Sequence, residues 1–302
     1  MTSIPARGSR TTRIAILATS LSALILALLL VARPWYLAWG ADEALRNVRL
    51  PGDQLLWQGA PRETRALVIR APAAQVWPWI AQLGQNRAGF YSYELLEDLV
   101  GCEMTNLDHL VPSLQQWKAG DKLWMYPPRR AGGIGQAPLA LHEPGHALVV
   151  YTRRPGTKLT DPPDGTWAFV VEPVDGRTSQ LIVRGRARGS LGLLGAAFER
   201  SIFEPLHFVM ERKMMEGIKA RAEGTPVSRT RDDLEIFLWA ATFGLFVASA
   251  ALAIKGRAAR RRTVTFTAAG VVFAILTLVQ PSVFIGVPLV MALAAATCRP
   301  SR

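Results

Sequence analysis

The chain has 302 residues, half of them hydrophobic, and a formal net charge of +12 at pH 7. Its two cysteines, Cys102 and Cys298, exclude a disulfide framework and a thiolate metal cluster. The charge alone is typical of a nucleic-acid-binding protein, but the basic excess is concentrated in short segments at 1–13, 255–262 and 299–302. That distribution is typical of membrane topology signals, so no nucleic-acid partner is expected.

Three uncharged stretches, at 14–32, 236–254 and 263–298, are candidate membrane spans. Each of the first two would form a helix of about 28 Å, close to the thickness of the hydrocarbon layer. The third is too long for one ordinary span. Its central Gln280-Pro281-Ser282 predicts two short spans, with one kinked, tilted helix as the alternative. A signal peptide cleaved near Ala38-Trp39-Gly40 is the alternative to the first span.

Short basic loops stay in the cytoplasm, so four spans predict a multi-pass protein of the cell membrane with its large polar domain outside the cytoplasm. Arg229 and Arg231 favour the opposite orientation, but long domains are translocated largely regardless of such charges. The lipid bilayer is therefore an expected partner, whereas protein partners are unknown. The predicted organisation is a cytoplasmic basic tail at 1–13, a transmembrane helix at 14–32, a linker at 33–61, a folded domain at 62–224, a linker at 225–235, a transmembrane helix at 236–254, a basic cytoplasmic loop at 255–262 and a transmembrane hairpin at 263–298.

The polar domain shows strand alternation and helical spacing in a definite order. Strands are indicated by alternating or β-branched runs between turn residues, and helices by apolar residues three and four apart. Asp175-Gly176 predicts a tight hairpin, because glycine tolerates positive φ. The predicted elements are a strand at Thr64–Arg70, helices at Ala73–Gly84 and Tyr93–Val100, strands at Lys122–Tyr126, Ala137–Leu141, Ala147–Arg153, Thr166–Glu172 and Ser179–Arg186, and a last helix from about Pro205 to Glu223.

This order resembles the START/polyketide-cyclase-like (SRPBCC) superfamily, and its membrane-attached branch in particular. The resemblance covers roughly Arg62 to Glu223 and implies an α+β helix-grip fold, in which an antiparallel sheet wraps around a long C-terminal helix. It implies a fold more specifically than a function, because members of one fold carry out many functions. The motifs that carry it are Ile69-Arg70-Ala71-Pro72, Val76-Trp77-Pro78-Trp79-Ile80, Gln82-Leu83-Gly84, Arg87-Ala88-Gly89-Phe90-Tyr91-Ser92-Tyr93, Leu96-Glu97, Gly120-Asp121, Glu143-Pro144-Gly145, Thr166-Trp167-Ala168-Phe169 and Phe203-Glu204-Pro205.

A cavity between sheet and helix is expected to bind a hydrophobic small molecule or lipid. Aromatic residues line pockets well, and methionine adapts to irregular apolar ligands. Ordinary core packing is the alternative role for the same residues. The candidate ligand-binding residues are Phe90, Tyr91, Tyr93, Trp124, Tyr126, Trp167, Phe169, Phe203, Leu206, Met210 and Met214.

Polar motifs offer little catalytic signal. His142-Glu143-Pro144-Gly145-His146 has the letters of a zinc-protease motif, but Pro-Gly favours a hairpin with two exposed histidines over the helix that zinc binding needs. The acidic group Glu94, Glu97, Asp98 and Glu103 is expected on a hydrated surface, with Leu95, Leu96, Leu99 and Val100 facing the core. One of Arg184, Arg186 and Arg188 is a candidate anion anchor in the cavity, and His109 and His207 are interpreted as isolated structural histidines.

The leading hypothesis is a membrane-anchored START-like domain that binds a hydrophobic or amphipathic small molecule. No catalytic residue, metal ligand or cofactor is assigned, and enzymatic activity is left open but disfavoured. The first alternative is a polyketide cyclase or dehydratase-like enzyme that uses the same cavity, which requires a buried titratable group facing it. The second is a membrane-tethered sensor or scaffold domain, which an exposed apolar patch would favour.

Overall fold

The computed structural model describes residues 10–57, 59–60, 62–129, 135–153, 162–188, 192–255 and 259–298. The chain divides into two compact units, one from Pro34 to Val227 and one formed by the flanking regions. Parts of the predicted basic segments, at 1–9, 256–258 and 299–302, lie outside the described residues.

The predicted strands and helices occur in the predicted order with shifted ends, whereas the helices Arg33–Leu37 and Glu43–Asn47 in the predicted linker and Gly192–Phe198 before the last helix were not predicted. The helices are α1 (Arg10–Ala27), α2 (Arg33–Leu37), α3 (Glu43–Asn47), α4 (Ala73–Ala81), α5 (Glu94–Leu99), α6 (Gly192–Phe198), α7 (Glu204–Ala222), α8 (Arg229–Lys255), α9 (Ala259–Leu278) and α10 (Val283–Cys298), and π turns at Leu28–Ala32 and Glu199–Phe203 join α1 to α2 and α6 to α7. The strands are β1 (Arg62–Ile69), β2 (Lys122–Trp124), β3 (Gln136–Glu143), β4 (Ala147–Thr152), β5 (Gly165–Asp175) and β6 (Thr178–Ala187).

Within the described residues of Pro34–Val227, the strands form one antiparallel sheet in the order β1-β6-β5-β4-β3-β2. Consecutive strands from β2 to β6 pair as hairpins, and β1 pairs with β6. The β5–β6 turn forms where Asp175-Gly176 predicts it, but Gly176 does not adopt positive φ. The side chain of Asp175 closes the turn by accepting a hydrogen bond from the backbone N–H of Arg177 at 2.7 Å.

One face of the sheet packs against α4 and α7. Side chains alternate along a strand, so Phe169 and Val171 on β5 lie on the same face as the neighbouring Val183 and Leu181 on β6. They form the main apolar core with Val76 and Ile80 of α4 and with Met214, Met215 and Ile218 of α7. The predicted α+β fold, with a long C-terminal helix held against an antiparallel sheet, is confirmed.

The opposite face is covered by the segment that precedes β1. Leu50 packs with Ala66, Val170 and Ile182 of that face. The guanidinium of Arg184, whose side chain is 1% exposed, donates to Asp53 at 2.7 Å and to backbone carbonyls of residues 45, 46 and 48. Arg184 and Arg186 therefore bind this segment, and the predicted role of one of them as an anion anchor on the helix side is wrong.

The flanking unit is helical. Among the described helices, two are long and apolar enough to cross a membrane, namely Arg10–Leu37 and Arg229–Lys255. α9 and α10 are shorter apolar helices, and the chain leaves helical geometry between them at Gln280, whose φ is +49°. This break lies where Gln280-Pro281-Ser282 predicts one.

Candidate functional site

A cluster of charged side chains lies between β1 and α7. Alternation along β1 places Glu63 and Arg65 on the face that meets α7, and the four-residue spacing of His207 and Glu211 places both on one side of that helix. We refer to Glu63, Arg65, His207 and Glu211 as the charge cluster. The cluster joins two distant parts of the chain, because Arg65 and Glu211 are separated by 146 positions.

Arg65 is the centre of the charge cluster. Its guanidinium is fully buried and donates to Glu211 at 2.5 Å and to Glu63 at 2.7 Å, and its Nε donates to the backbone carbonyl of Tyr36 at 2.9 Å. The second carboxylate oxygen of Glu211 accepts a hydrogen bond from the indole Nε1 of Trp167 at 2.8 Å. A buried charge is tolerated when it is paired and hydrogen-bonded in this way.

Burial and charge act in opposite directions on the pKa values of these groups. Burial alone would raise the pKa of Glu211, but the positive charges of Arg65 and His207 outweigh it and hold that pKa below its usual range. Burial likewise lowers the pKa of Arg65, while Glu211 and Glu63 raise it by more. Arg65 and Glu211 are therefore both ionised at neutral pH.

Three members of the charge cluster also have the donor types of a metal site. One ligand atom each of Glu63, His207 and Glu211 lies within 4.8 Å of the others. The guanidinium of Arg65 already binds both carboxylates, so a cation there would face a fixed positive charge at hydrogen-bonding distance. The buried guanidinium leaves His207, whose side chain is 31% exposed, as the member of the charge cluster that a polar ligand group could reach.

A series of rings runs from the surface to the core beside the charge cluster. The ring of Phe203, whose side chain is 56% exposed, stacks on His207 with centroids 5.7 Å apart, and His207 lies 5.9 Å from Trp167. Trp167 in turn contacts Phe90 at 6.0 Å and Phe169 at 4.6 Å, both of which are buried. We call these five residues the ring path.

The structure brings some predicted ligand-binding residues together and separates others. Phe90, Trp167, Phe169 and Met214 lie in or against the main core beside α7. Tyr126 also packs against that core, but its hydroxyl interacts with Cys102. Tyr91, in the loop before α5, also belongs to the main core. The remaining predicted residues are Tyr93, which is buried in the same loop, Trp124 and Met210, which are partly buried on β2 and α7, and Phe203 and Leu206, which are 56% and 42% exposed.

Tyr91 belongs to a strained loop that packs on α7. Its backbone adopts φ of +57°, which is uncommon for a non-glycine residue, and its N–H donates to Oδ1 of Asn106 at 2.6 Å. Its ring packs edge-on against Trp79. A Cβ at Gly217 would overlap the carbonyl oxygen of Tyr91 and lie 2.8 Å from its Cβ, so this close approach requires glycine.

A second buried carboxyl lies on α5. The sequence predicts Glu97 on a hydrated surface and Leu99 in the core, but Glu97 is 9% exposed and Leu99 is 73% exposed. Within the described part of the chain, Oε2 of Glu97 is buried without a hydrogen-bond partner. Burial, reinforced by the negative charges of Glu94 and Asp98, raises the pKa of Glu97 to about 8. The predicted inward face of α5 is therefore wrong.

Burial also raises the pKa of the neighbouring Cys102 thiol to about 11, and the charge of Glu97 contributes to this shift. The segment around Glu97 thus holds two titratable groups in their neutral forms at pH 7.

The His-Glu-Pro-Gly-His motif forms the β3–β4 hairpin, as the Pro-Gly pair predicts. Gly145 adopts φ of +84° in the turn. The two histidines are partly covered rather than exposed, because His142 stacks on Trp77 at 5.8 Å and His146 lies between Glu143 at 2.7 Å and Glu172 at 3.0 Å. The extended backbone on both sides of the turn does not provide the helical spacing of a zinc-protease site.

Sequence reasoning missed the charge cluster. His207 is interpreted there as isolated, yet its Nδ1 lies 3.5 Å from Glu63 and its Nε2 3.9 Å from Glu211. One signal was available, since Arg65 interrupts the inward face of a strand otherwise formed by Leu67 and Ile69. An inward cation on a strand requires a buried anion opposite it.

The fold and the charge cluster define an α+β domain of the helix-grip type with a paired charge on the helix side of its sheet. No family model matches the chain, and no curated protein matches it. Similar solved structures include the following two. Protein MLL2253 from Mesorhizobium loti is 12% identical, with 54% of this chain and 99% of that chain covered and a TM-score of 0.29. The Polyketide_cyc-like protein Cgl2372 from Corynebacterium glutamicum is 14% identical, with 55% and 82% covered and a TM-score of 0.25.

Proposed function

We propose that the domain binds an amphipathic small molecule or lipid, without catalysis. The apolar part would lie along the ring path, and the polar part would contact His207, whose side chain is 31% exposed. The observation that carries the proposal is the gradient of exposure along the ring path, from Phe203 at 56% to Phe169 at 0%. A continuous series of rings from solvent to core, with a paired charge beside it, offers both kinds of contact that such a ligand needs.

We also propose that the protein is anchored in the membrane at both ends of this domain. Support comes from the apolar helices Arg10–Leu37 and Arg229–Lys255, which lie immediately before and after it in the chain. The two short helices at 263–298 would complete four spans, and the basic segments would then keep the domain outside the cytoplasm. Tethering at both ends favours exchange of ligand with the nearby bilayer over transport across long distances.

The test is native mass spectrometry of the full chain purified in detergent, with lipid extraction from the same sample. A co-purified small molecule at one per protein is expected. Phe203→Ala should lower its occupancy about tenfold, because burying a phenylalanine ring contributes about 1.5 kcal/mol or more. Leu99→Ala is the matched control, since Leu99 is an exposed apolar residue outside the ring path. A folded but empty protein, or equal losses in both variants, would overturn the proposal.

A second candidate function is a cyclase or dehydratase-like enzyme, and Glu97 favours it. A buried carboxyl that is neutral at pH 7, with Cys102 nearby and one oxygen that has no partner among the described residues, has the properties of a general acid. Turnover of poly-β-ketone substrates by the full chain should then decrease above pH 8 and disappear in Glu97→Gln. Turnover that survives this substitution would exclude Glu97 as the acid.

A further inference from the structure

An exposed apolar stripe precedes α7 on the same continuous helix. Leu194 is 88% exposed, Phe198 58%, Phe203 56% and Leu206 42%. Leu193 and Ile202 widen the stripe, at 91% and 48%. Isolated apolar residues on a surface need no explanation, but a continuous row of large ones indicates an interaction surface.

The π turn at Glu199–Phe203 keeps this row on one side of the helix. Its i to i−5 hydrogen bond, from the N–H of Glu204 to the carbonyl of Glu199, adds one residue to that turn. Phe198 and Phe203, five positions apart, therefore lie one above the other, whereas α-helical geometry would rotate them apart by about 140°. Leu194 lies one α-helical turn before Phe198, and Leu206 lies three positions after Phe203.

A contact between Trp35 and α7 indicates what covers this stripe. Trp35, in the last turn of the candidate span Arg10–Leu37, packs edge-on against Phe208 of α7 at 5.6 Å and is itself 43% exposed. Phe208 lies two positions after Leu206, so Trp35 contacts α7 at the same level along the helix axis as the end of the stripe, although on the other side of the helix. Tryptophan at the end of a span marks the headgroup level of the bilayer.

Resting on the proposed ligand binding, we infer that α6 and the following π turn lie in the interfacial layer of the same bilayer, and that ligand passes from lipid into the ring path at Phe203. Phe203 belongs both to the apolar stripe and to the ring path. A ligand that moves from one to the other would not have to cross water. Amphipathic helices of this kind bury their apolar face about 5–10 Å into the boundary between headgroups and acyl chains.

The test is lipid quenching on the full chain in phosphatidylcholine nanodiscs. Single cysteines are introduced as Leu194→Cys and Phe198→Cys in a Cys298→Ser background, where Cys102 is buried, and labelled with an environment-sensitive fluorophore. Phosphatidylcholine with a nitroxide on its acyl chain should quench both labels at least about twofold. Arg177→Cys, in the exposed β5–β6 turn, is the matched control and should be quenched much less.

Equal quenching at positions 194, 198 and 177 would overturn the inference. A label that shifts to shorter wavelength without quenching would also overturn it, because a protein would then cover the stripe. Ligand occupancy is measured by mass spectrometry on the unlabelled protein. Quenching without any bound ligand would leave the membrane contact standing and reject the proposed binding function. Bound ligand without quenching would support the proposed binding function and reject the membrane contact of α6.

Discussion

Glu211 and Glu97 are both buried carboxyl groups, yet they differ in charge at neutral pH. Glu211 is hydrogen-bonded to Arg65 and Trp167, and its pKa lies below the usual range. Glu97 has two acidic neighbours and a buried oxygen without a partner in the described residues, and its pKa is about 8. Burial acts in the same direction on both, so the neighbouring groups determine which form is stable.

This difference suggests a structural role for Glu211 and leaves Glu97 as the carboxyl that could act as an acid. Both carboxylate oxygens of Glu211 are hydrogen-bonded, to Arg65 and to Trp167, so the fold stabilises its ionised form. Glu97 keeps a proton that no described partner accepts, which is the state that a functional acid needs. Removal of the partner of Glu211 should therefore lower the stability of the fold, whereas neutralisation of Glu97 should change mainly how stability depends on pH.

The largest effect is expected for Arg65→Met. Removal of the guanidinium leaves Glu211 charged and buried without its partner, which should lower the free energy of unfolding by about 3–5 kcal/mol. The measurement is denaturant unfolding of the detergent-solubilised chain followed by tryptophan fluorescence. That signal reports mainly on Pro34–Val227, because every tryptophan except Trp239 lies there.

The control for this prediction is the double variant Arg65→Met, Glu211→Met. Replacement of both charges by apolar side chains of similar size removes the unpaired charge, so the double variant should be more stable than Arg65→Met alone. A double variant less stable than the single one would show that the pair does not act through its charges.

The next effect is smaller for each unit of pH, and it comes from the titration of Glu97. Its pKa rises from 4.5 to about 8 on folding. The folded state therefore holds a proton that the unfolded state releases between these values. Stability should decrease as the pH rises through this window, by up to about 1.4 kcal/mol per pH unit, and become constant above pH 8.

Glu97→Gln should remove this slope while leaving the protein folded, since an amide is close in shape to a protonated carboxyl. The same unfolding measurement at pH 5, 6.5, 8 and 9 checks it. Parallel pH profiles for the two proteins would mean that Glu97 is ionised in the folded state.

The smallest effect is expected at the hairpin, where His146 lies between Glu172 and Glu143. Hydrogen bonding to Glu172, aided by Glu143, raises its pKa, but its side chain is 39% exposed. Exposed ion pairs contribute about 1 kcal/mol or less. His146→Asn should therefore destabilise the protein slightly at pH 5.5, where histidine is charged in both states. The effect should vanish as the pH rises through the raised pKa, and a larger loss at pH 9 would contradict it.

Local sequence signals predicted all six described strands and the long helices in their order, but not the short helices α2, α3 and α6. Val76 and Ile80 repeat at helical spacing and do face the core, and the Pro-Gly pair at 144–145 does form a turn. These signals work because the residues that decide the structure are neighbours in the chain. The two long apolar helices were predictable for the same reason.

The candidate site was less predictable, because it depends on residues far apart in sequence. Nothing near Arg65 indicates that Glu211 lies opposite it, 146 positions later. On α5 the local pattern was misleading, since Leu99 is exposed and Glu97 is buried. Tertiary contacts override an amphipathic pattern most easily in a helix as short as Glu94–Leu99.

The close contact of Gly217 with Tyr91 offers a way to recognise distant relatives. A side chain at position 217 would occupy the space of a backbone carbonyl, and that carbonyl belongs to a residue with positive φ. Neither partner can adapt without moving the helix or the loop. Any chain that packs its last helix in this way must keep glycine at the corresponding helical position. The spacing between that glycine and the aromatic loop is therefore a search pattern for sequences whose overall identity has fallen too low to align.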